Sequence, residues 1–268
     1  RLLSCEVEDM IDTALHIVTE KREGVLRVEI HRPEKKNALT AAMYGQLADV
    51  FQQAAGDSDI RVLLLHGQPG AFTAGNDLGE FLNDPPMNED APVFRFLTAF
   101  RDFPKPFLAA VTGAAVGVGT TMLLHCDMVF AGEGAKFQLP FVSLGLCPEA
   151  ASSLLLPALI GHARAAEIIL LGEPFGAGQA REMGLVNAVL PDAEVLDHAL
   201  VRARRLAAQP PAAVRLAKQL LKRPQAALVR ETMAEEDRQF KARLTSPEAR
   251  EAFGAFLEKR KPDFSRFS

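Results

Sequence analysis

Apolar and polar residues alternate through "ALHIVTE" (Ala14–Glu20) and again through "GVLRVEIHRP" (Gly24–Pro33), with a Glu-Gly step between them. Period-two alternation around such a turn signal predicts a β-hairpin. The period then changes. After Thr40, Met43, Leu47, Val50, Phe51 and Ala54 recur at helical spacing, with Thr40 placed as an N-cap and Gly56 as a stop. "RVLLLHG" (Arg61–Gly67) is a short unbroken apolar run, the pattern of a strand covered on both faces. "PGAFTAGNDL" follows as a glycine-punctuated loop, and "APVFRFLTAFRDF" as a helix. "KPFLAAVTG" reads as another buried strand, "GVGTTMLLHC" as the helix after it, and "DMVFAGEGAKFQL" as a second hairpin.

Strands and helices thus alternate with glycine turns between them, which predicts a wound α/β architecture. From about Asp192 the pattern is purely helical, through "EVLDHALVRARRLAAQ", "PAAVRLAKQLLKR", "ALVRETMAEEDRQFKARL" and "PEAREAFGAFLEKRK", with Pro210 and Pro247 at helix starts. We read residues 10–191 as the core and residues 192–268 as a helical region. That region is too thin for much core of its own and is expected to pack on the first region or on a neighbouring subunit.

With 48% hydrophobic residues, the 268-residue chain can bury a sizeable core. The net charge of −4 argues against a nucleic-acid surface. Three scattered cysteines, Cys5, Cys126 and Cys147, form no C-x-x-C pair, and no histidine pair has metal-ligand spacing. A reducing compartment with no metal is expected. The longest uncharged run, Phe107–Leu124, carries Gly113, Gly117 and Gly119 and reads as strand, turn and helix start rather than a membrane span. No signal-peptide pattern opens the chain, Met10 is a candidate native start, and the closing "FSRFS" lacks a peroxisomal signal. A cytoplasmic location is the expectation.

Two glycine loops follow apolar strands, Gly75-Asn76-Asp77 and Gly117-Val118-Gly119. Each is a tight turn, or a place where free backbone N–H groups stabilise an oxyanion. Phosphate-loop and nucleophile-elbow patterns are absent. Glu149, in "LGLCPEAASSLLLP", is the only formally charged residue between Lys136 and Arg164. It is either an acid at a helix N-terminus or a general base whose pKa is raised in an apolar pocket. Asp77, Glu80 and Asp127 are alternative acids, the two aspartates read as structural and Glu80 as a solvated surface acid.

"HRPEKKNAL", "AFTAGNDL", "AVTGAAVGVGTTMLLHCD", "GLCPEAASSLLLP" and "FLEKRKPDF" follow one another along nearly the whole chain. In this order they resemble the crotonase, or enoyl-CoA hydratase/isomerase, superfamily. The resemblance implies a crotonase-like spiral of ββα repeats with a C-terminal helical region that takes part in oligomer contacts and CoA binding. It implies a homotrimer or dimer of trimers, an acyl-CoA thioester substrate, and no cofactor beyond the CoA of that substrate. Carried over by position, the N–H groups of Asn76 and Val118 form an oxyanion hole. Lys35, Lys36, Ala38, Asp77 and Leu78 fall beside CoA, and Phe256 and Lys259 match a C-terminal pair that reaches it.

The positions of the two hydratase glutamates are Thr121 and Phe141 here. The acid after proline in "CPEAASS" and the "GNDL" loop look instead like the peroxisomal-type 3-enoyl-CoA to 2-enoyl-CoA isomerases, where a single glutamate shuttles the proton. Isomerisation of fatty acyl-CoA double bonds with Glu149 as that shuttle is therefore the expectation. The alternatives are hydration, another crotonase-type chemistry, or a non-catalytic acyl-CoA-binding scaffold. The walls of the acyl pocket are expected in the Phe81–Phe103 segment and the helical tail.

Overall fold

The computed structural model describes residues 16–267, so Cys5, Met10, Ala14, Leu15 and Ser268 lie outside the described residues. The described residues open with the expected hairpin, β1 (Ile17–Arg22) paired antiparallel with β2 (Val25–Ile30). Its two turn residues both have positive φ, Glu23 at 53° and Gly24 at 77°. That geometry matches the twist of the flanking strands. Helix α1 (Ala41–Gly56) follows, with the Thr40 side chain accepting from Met43 N as its N-cap.

The chain then winds in repeated turns of two strands and a helical segment. β3 (Val62–His66) and β4 (Ala71–Thr73) lead to α2 (Leu78–Asn83) and α3 (Pro92–Arg101). β5 (Phe107–Val111) and β6 (Ala114–Val116) lead to α4 (Val118–Thr121). β7 (Met128–Gly132) and β8 (Lys136–Gln138) lead to α5 (Ser152–Ile160) and α6 (His162–Leu171). A short β9 (Phe175–Gly176), α7 (Ala177–Glu182) and β10 (Ala188–Leu190) complete this region. The first strand of each turn joins a six-stranded sheet ordered β1-β2-β3-β5-β7-β10, and the second joins a four-stranded sheet ordered β4-β6-β8-β9. This is the expected ββα spiral.

Two expectations fail. "PGAFTAGNDL", read as a loop, holds strand β4 at Ala71–Thr73 and the first residue of α2. "DMVFAGEGAKFQL" is not a hairpin, because β7 pairs in parallel with β5 while β8 pairs in parallel with β6 in the other sheet. Each strand of that pair finds a longer-range partner from the previous turn of the spiral.

Both faces of the large sheet are covered, as the unbroken apolar run of β3 requires. Leu63 and Leu65 point into the main core, which is shared with α1 and α3, and Val62 and Leu64 point the other way. The second face is closed by α8 (Val195–Ala207), whose Val195, Ala199, Ala203 and Ala207 are buried against it. Small side chains every fourth residue let this helix lie close to the sheet. Next come α9 (Pro211–Lys222), α10 (Ala226–Leu244) and α11 (Pro247–Leu257). Val229, Met233, Phe240 and Leu244 of α10 join the main core, so the helical tail packs on the spiral within one chain.

Candidate functional site

Asn76 and Val118 stand at two loops that small residues bring close together. A Cβ on Gly75 would meet Val116 O at 2.7 Å, and a Cβ on Gly119 would meet Thr73 Cγ2 at 2.6 Å. Gly75 also has φ of +85°, a conformation costly for any other residue. Leu39 N donates to Gly75 O and Asp77 N donates to Leu39 O, which fixes the peptide between them. Neither Asn76 N–H nor Val118 N–H has an acceptor among the described residues. The Tyr44 hydroxyl donates to Asn76 Oδ1 from the buried face of α1.

These loops meet Glu149 at a small cavity of ≈ 20 Å³, whose lining includes Asn76, Val118, Glu149 and Tyr44. Phe81, Val93, Phe94, Leu97, Phe141 and Phe240 form its apolar walls. These walls come from α2, α3 and α10, within the Phe81–Phe103 segment and the helical tail, and from Phe141, which lies outside both. Glu149 is only 7% exposed, and Thr121 Oγ1 donates to its Oε1. Burial pushes the Glu149 carboxyl up to about 8, against the Thr121 hydrogen bond, and the charges of Glu236 and Asp237 push the same way as burial. Glu149 is not an acid inside a helix. It precedes α5 by a turn in which Ala150 and Ala151 have φ of +57° and +55°. Left-handed non-glycine residues cost about 1–3 kcal/mol each, so the surrounding structure must hold this turn.

The residues expected beside CoA divide into two groups. Lys35, Lys36 and Ala38 run alongside the Asn76 loop, where Ala74 N donates to Lys36 O at 3.0 Å. Both lysines are exposed. Asp77 caps α2 through Glu80 N, and Leu78 is the first residue of that helix. Arg32, missed in the sequence, ties this group together by donating to Ala38 O at 2.9 Å and Asp77 Oδ2 at 2.8 Å. Burial raises the Asp77 carboxyl, but the Arg32 and Glu80 hydrogen bonds outweigh it and hold the group below its usual range. Phe256 and Lys259 are exposed at the end of α11, outside the cavity.

The alternative acids have other work. Asp127 accepts from Phe107 N and from Lys218 Nζ, each at 2.8 Å. Glu80, expected to be solvated, is half-buried and accepts from Ala41 N at the start of α1. Burial raises the thiols of Cys126 and Cys147, the latter to about 11, so neither is a thiolate nucleophile near neutral pH. Among the described residues no cluster of three metal-ligating side chains occurs, and no helix is long and apolar enough to cross a membrane. A larger cavity of ≈ 620 Å³, between α3, α9 and α10, touches none of Asn76, Val118 or Glu149.

Residues 20–266 match the family model for enoyl-CoA hydratase/isomerase. The chain is 35% identical to 2,3-dehydroadipyl-CoA hydratase of Escherichia coli (strain K12), over 92% of this chain and 98% of that protein. It is 32% identical to enoyl-CoA delta isomerase 2 of Homo sapiens, over 91% of this chain and 64% of the human protein. Its fold is similar to the solved structure of Pseudomonas aeruginosa OdaA, with a TM-score of 0.89 and 49% identity over 90% of this chain and 98% of that one.

Proposed function

Since the chain belongs to the enoyl-CoA hydratase/isomerase, or crotonase, family, we propose that it moves a 3-enoyl-CoA double bond into the 2-position, with Glu149 as its proton shuttle. The observation that carries this reading is that Glu149 is, among the described residues, the one carboxylate lining the cavity with Asn76 and Val118. Hydration needs one group to activate water and one to deliver a proton, and the two positions expected to supply them hold Thr121 and Phe141. Thr121 is bonded to Glu149, and Phe141 is an apolar wall.

In this mechanism the thioester carbonyl oxygen takes up the unpaired N–H groups of Asn76 and Val118. The ionised Glu149 removes a proton from the α carbon, and the pair of electrons released forms a dienolate whose oxygen charge those N–H groups stabilise. Glu149, now protonated, returns the same proton to the γ carbon, which leaves the double bond conjugated with the thioester. One base is enough because the proton is relocated within the substrate. A carboxyl near 8 is a stronger base than an exposed one, which suits it to a weakly acidic carbon. Coenzyme A enters as part of the substrate, held in this proposal by Lys35, Lys36, Ala38, Asp77 and Leu78, with Phe256 and Lys259 contributed across a trimer contact.

Hydration is the second reading, favoured by the similarity to the Escherichia coli hydratase. Purified protein incubated with a 3-enoyl-CoA and, separately, with a 2-enoyl-CoA in water distinguishes the two. Appearance of conjugated thioester from the first substrate supports isomerisation, and dominant loss of conjugation from the second overturns it.

A further inference from the structure

We propose that Glu236, on α10, is a positioning residue for Glu149: it grips the left-handed turn that aims the base into the cavity. This inference rests on Glu149 being the base. The turn consists of Ala150 and Ala151, neither a glycine, with φ of +57° and +55°. Two groups hold it from opposite sides. Ala151 N donates to Glu236 Oε2 at 2.6 Å, and Ser153 N and Ser153 Oγ donate to Glu236 Oε1 at 3.0 and 2.5 Å. On the other side, His125 Nε2 meets Ala150 O at 2.7 Å. The N-cap residue of α5, Ala151, has no side-chain cap of its own. Glu236 supplies from another helix the acceptor that the α5 N-terminus lacks.

Glu236 is itself 6% exposed, and three donors converge on its carboxylate. Such a group is not a surface acid that happens to touch the turn. Met233 and Phe240 lie on the same face of α10, and Phe240 is a wall of the cavity. One helix therefore closes the site and holds its base.

Charge gives the proposal a signature beyond folding. The groups facing Glu149 are Tyr44 on α1, Thr121 on α4, Cys147 on its own segment, and Glu236 and Asp237 on α10. Burial raises the Tyr44 phenol well above its usual range and the Cys147 thiol to about 11, so both are neutral near pH 8. Burial also lowers His125, behind the turn, to about 4, which leaves it neutral as well. Glu236 and Asp237 are the neighbouring carboxyls whose charge raises Glu149, and burial raises both of them in turn, Asp237 to about 6. Removing the Glu236 charge makes Glu149 easier to ionise, so the rising limb of the pH profile moves to lower pH.

The test measures kcat and KM for a 3-enoyl-CoA across pH in Glu236→Gln, with Glu149→Gln run in parallel. A glutamine can offer an acceptor to Ala151 or to Ser153 but turns an NH2 toward the other. The expected result is a folded protein with kcat lowered about 10- to 100-fold, KM within about threefold of wild type by the same reasoning, and the rising limb displaced to lower pH. Adding Ala151→Gly to this variant recovers part of kcat, because glycine adopts the turn unaided. Wild-type kcat and an unmoved limb in Glu236→Gln overturn the proposal while leaving Glu149 as the base, provided Glu149→Gln is inactive. An active Glu149→Gln overturns the base assignment and this inference with it. If Glu236→Gln does not fold, Glu236→Asp is measured: it keeps the charge and shortens the reach. A lower kcat with the limb in place supports the grip, and wild-type kcat rejects it.

Discussion

Thr121 donates its hydroxyl hydrogen to Glu149 Oε1, joining the helix after the second glycine loop to the only carboxylate that lines the cavity among the described residues. The bond favours the charged form of an acid that burial otherwise keeps protonated. Thr121→Val keeps the shape and removes the donor. Its kcat–pH profile should rise at higher pH than that of the wild type, and an unchanged limb would show that the hydroxyl does not govern the base.

Replacing Glu149 with glutamine should lower isomerisation by roughly 100- to 10,000-fold, the range of a lost general base. Calorimetry with a CoA thioester should show affinity little changed. A variant of wild-type rate would place the base elsewhere.

The same substitution makes a stability prediction of defined sign. The folded-state carboxyl of Glu149 lies near 8, against 4.5 for the ordinary group, so the folded protein binds the extra proton between those values. The wild type accordingly loses stability as pH rises from about 4.5 to 8. Glu149→Gln lacks this loss. Urea melts should find the variant more stable than wild type near pH 8, with the gap closing toward pH 5.

Lys218 tests the helical tail. It is 7% exposed and donates to Lys105 O at 2.6 Å and Asp127 Oδ2 at 2.8 Å, pinning α9 to the start of β5. Lys218→Met leaves Asp127 with one donor fewer in a half-buried place. Breaking such a pair from one side costs on the order of 3 kcal/mol, which denaturant melts would register. A shift below about 0.5 kcal/mol, the scale of a surface charge, would refute it.

Much of the spiral was legible because its strands are unbroken apolar runs closed by glycine. Which sheet each strand enters was not, since β7 and β8 flank a turn that reads as a hairpin and separate only through parallel partners one spiral turn earlier. In the site, Asn76, Val118 and Glu149 stood out through glycines and an isolated charge. Tyr44 did not, because a phenol on the apolar face of a helix reads as core. Glu236 was hidden in the acidic run Glu235-Glu236-Asp237, which resembles a solvated face. Each residue of a helix turns about 100° from the last, and that separates the three. Glu235 is exposed and held down to about 2 by Arg238 and Gln239, Glu236 is buried beneath α5, and burial pushes Asp237 up to about 6. Only the packing of α10 reveals which acid faces inward.

Gly75 and Gly119 bring the two loops into backbone contact, with Val116 O and Thr73 where a side chain would stand. The spacing of the Asn76 and Val118 N–H groups therefore depends on these two glycines and on the small Thr73 side chain packed against the second of them. Phe81, Phe94, Leu97 and Phe240 have no such constraint, since they are side chains presented by three helices, α2, α3 and α10. The shape of the cavity can accordingly change through its walls while the two glycine loops stay as they are.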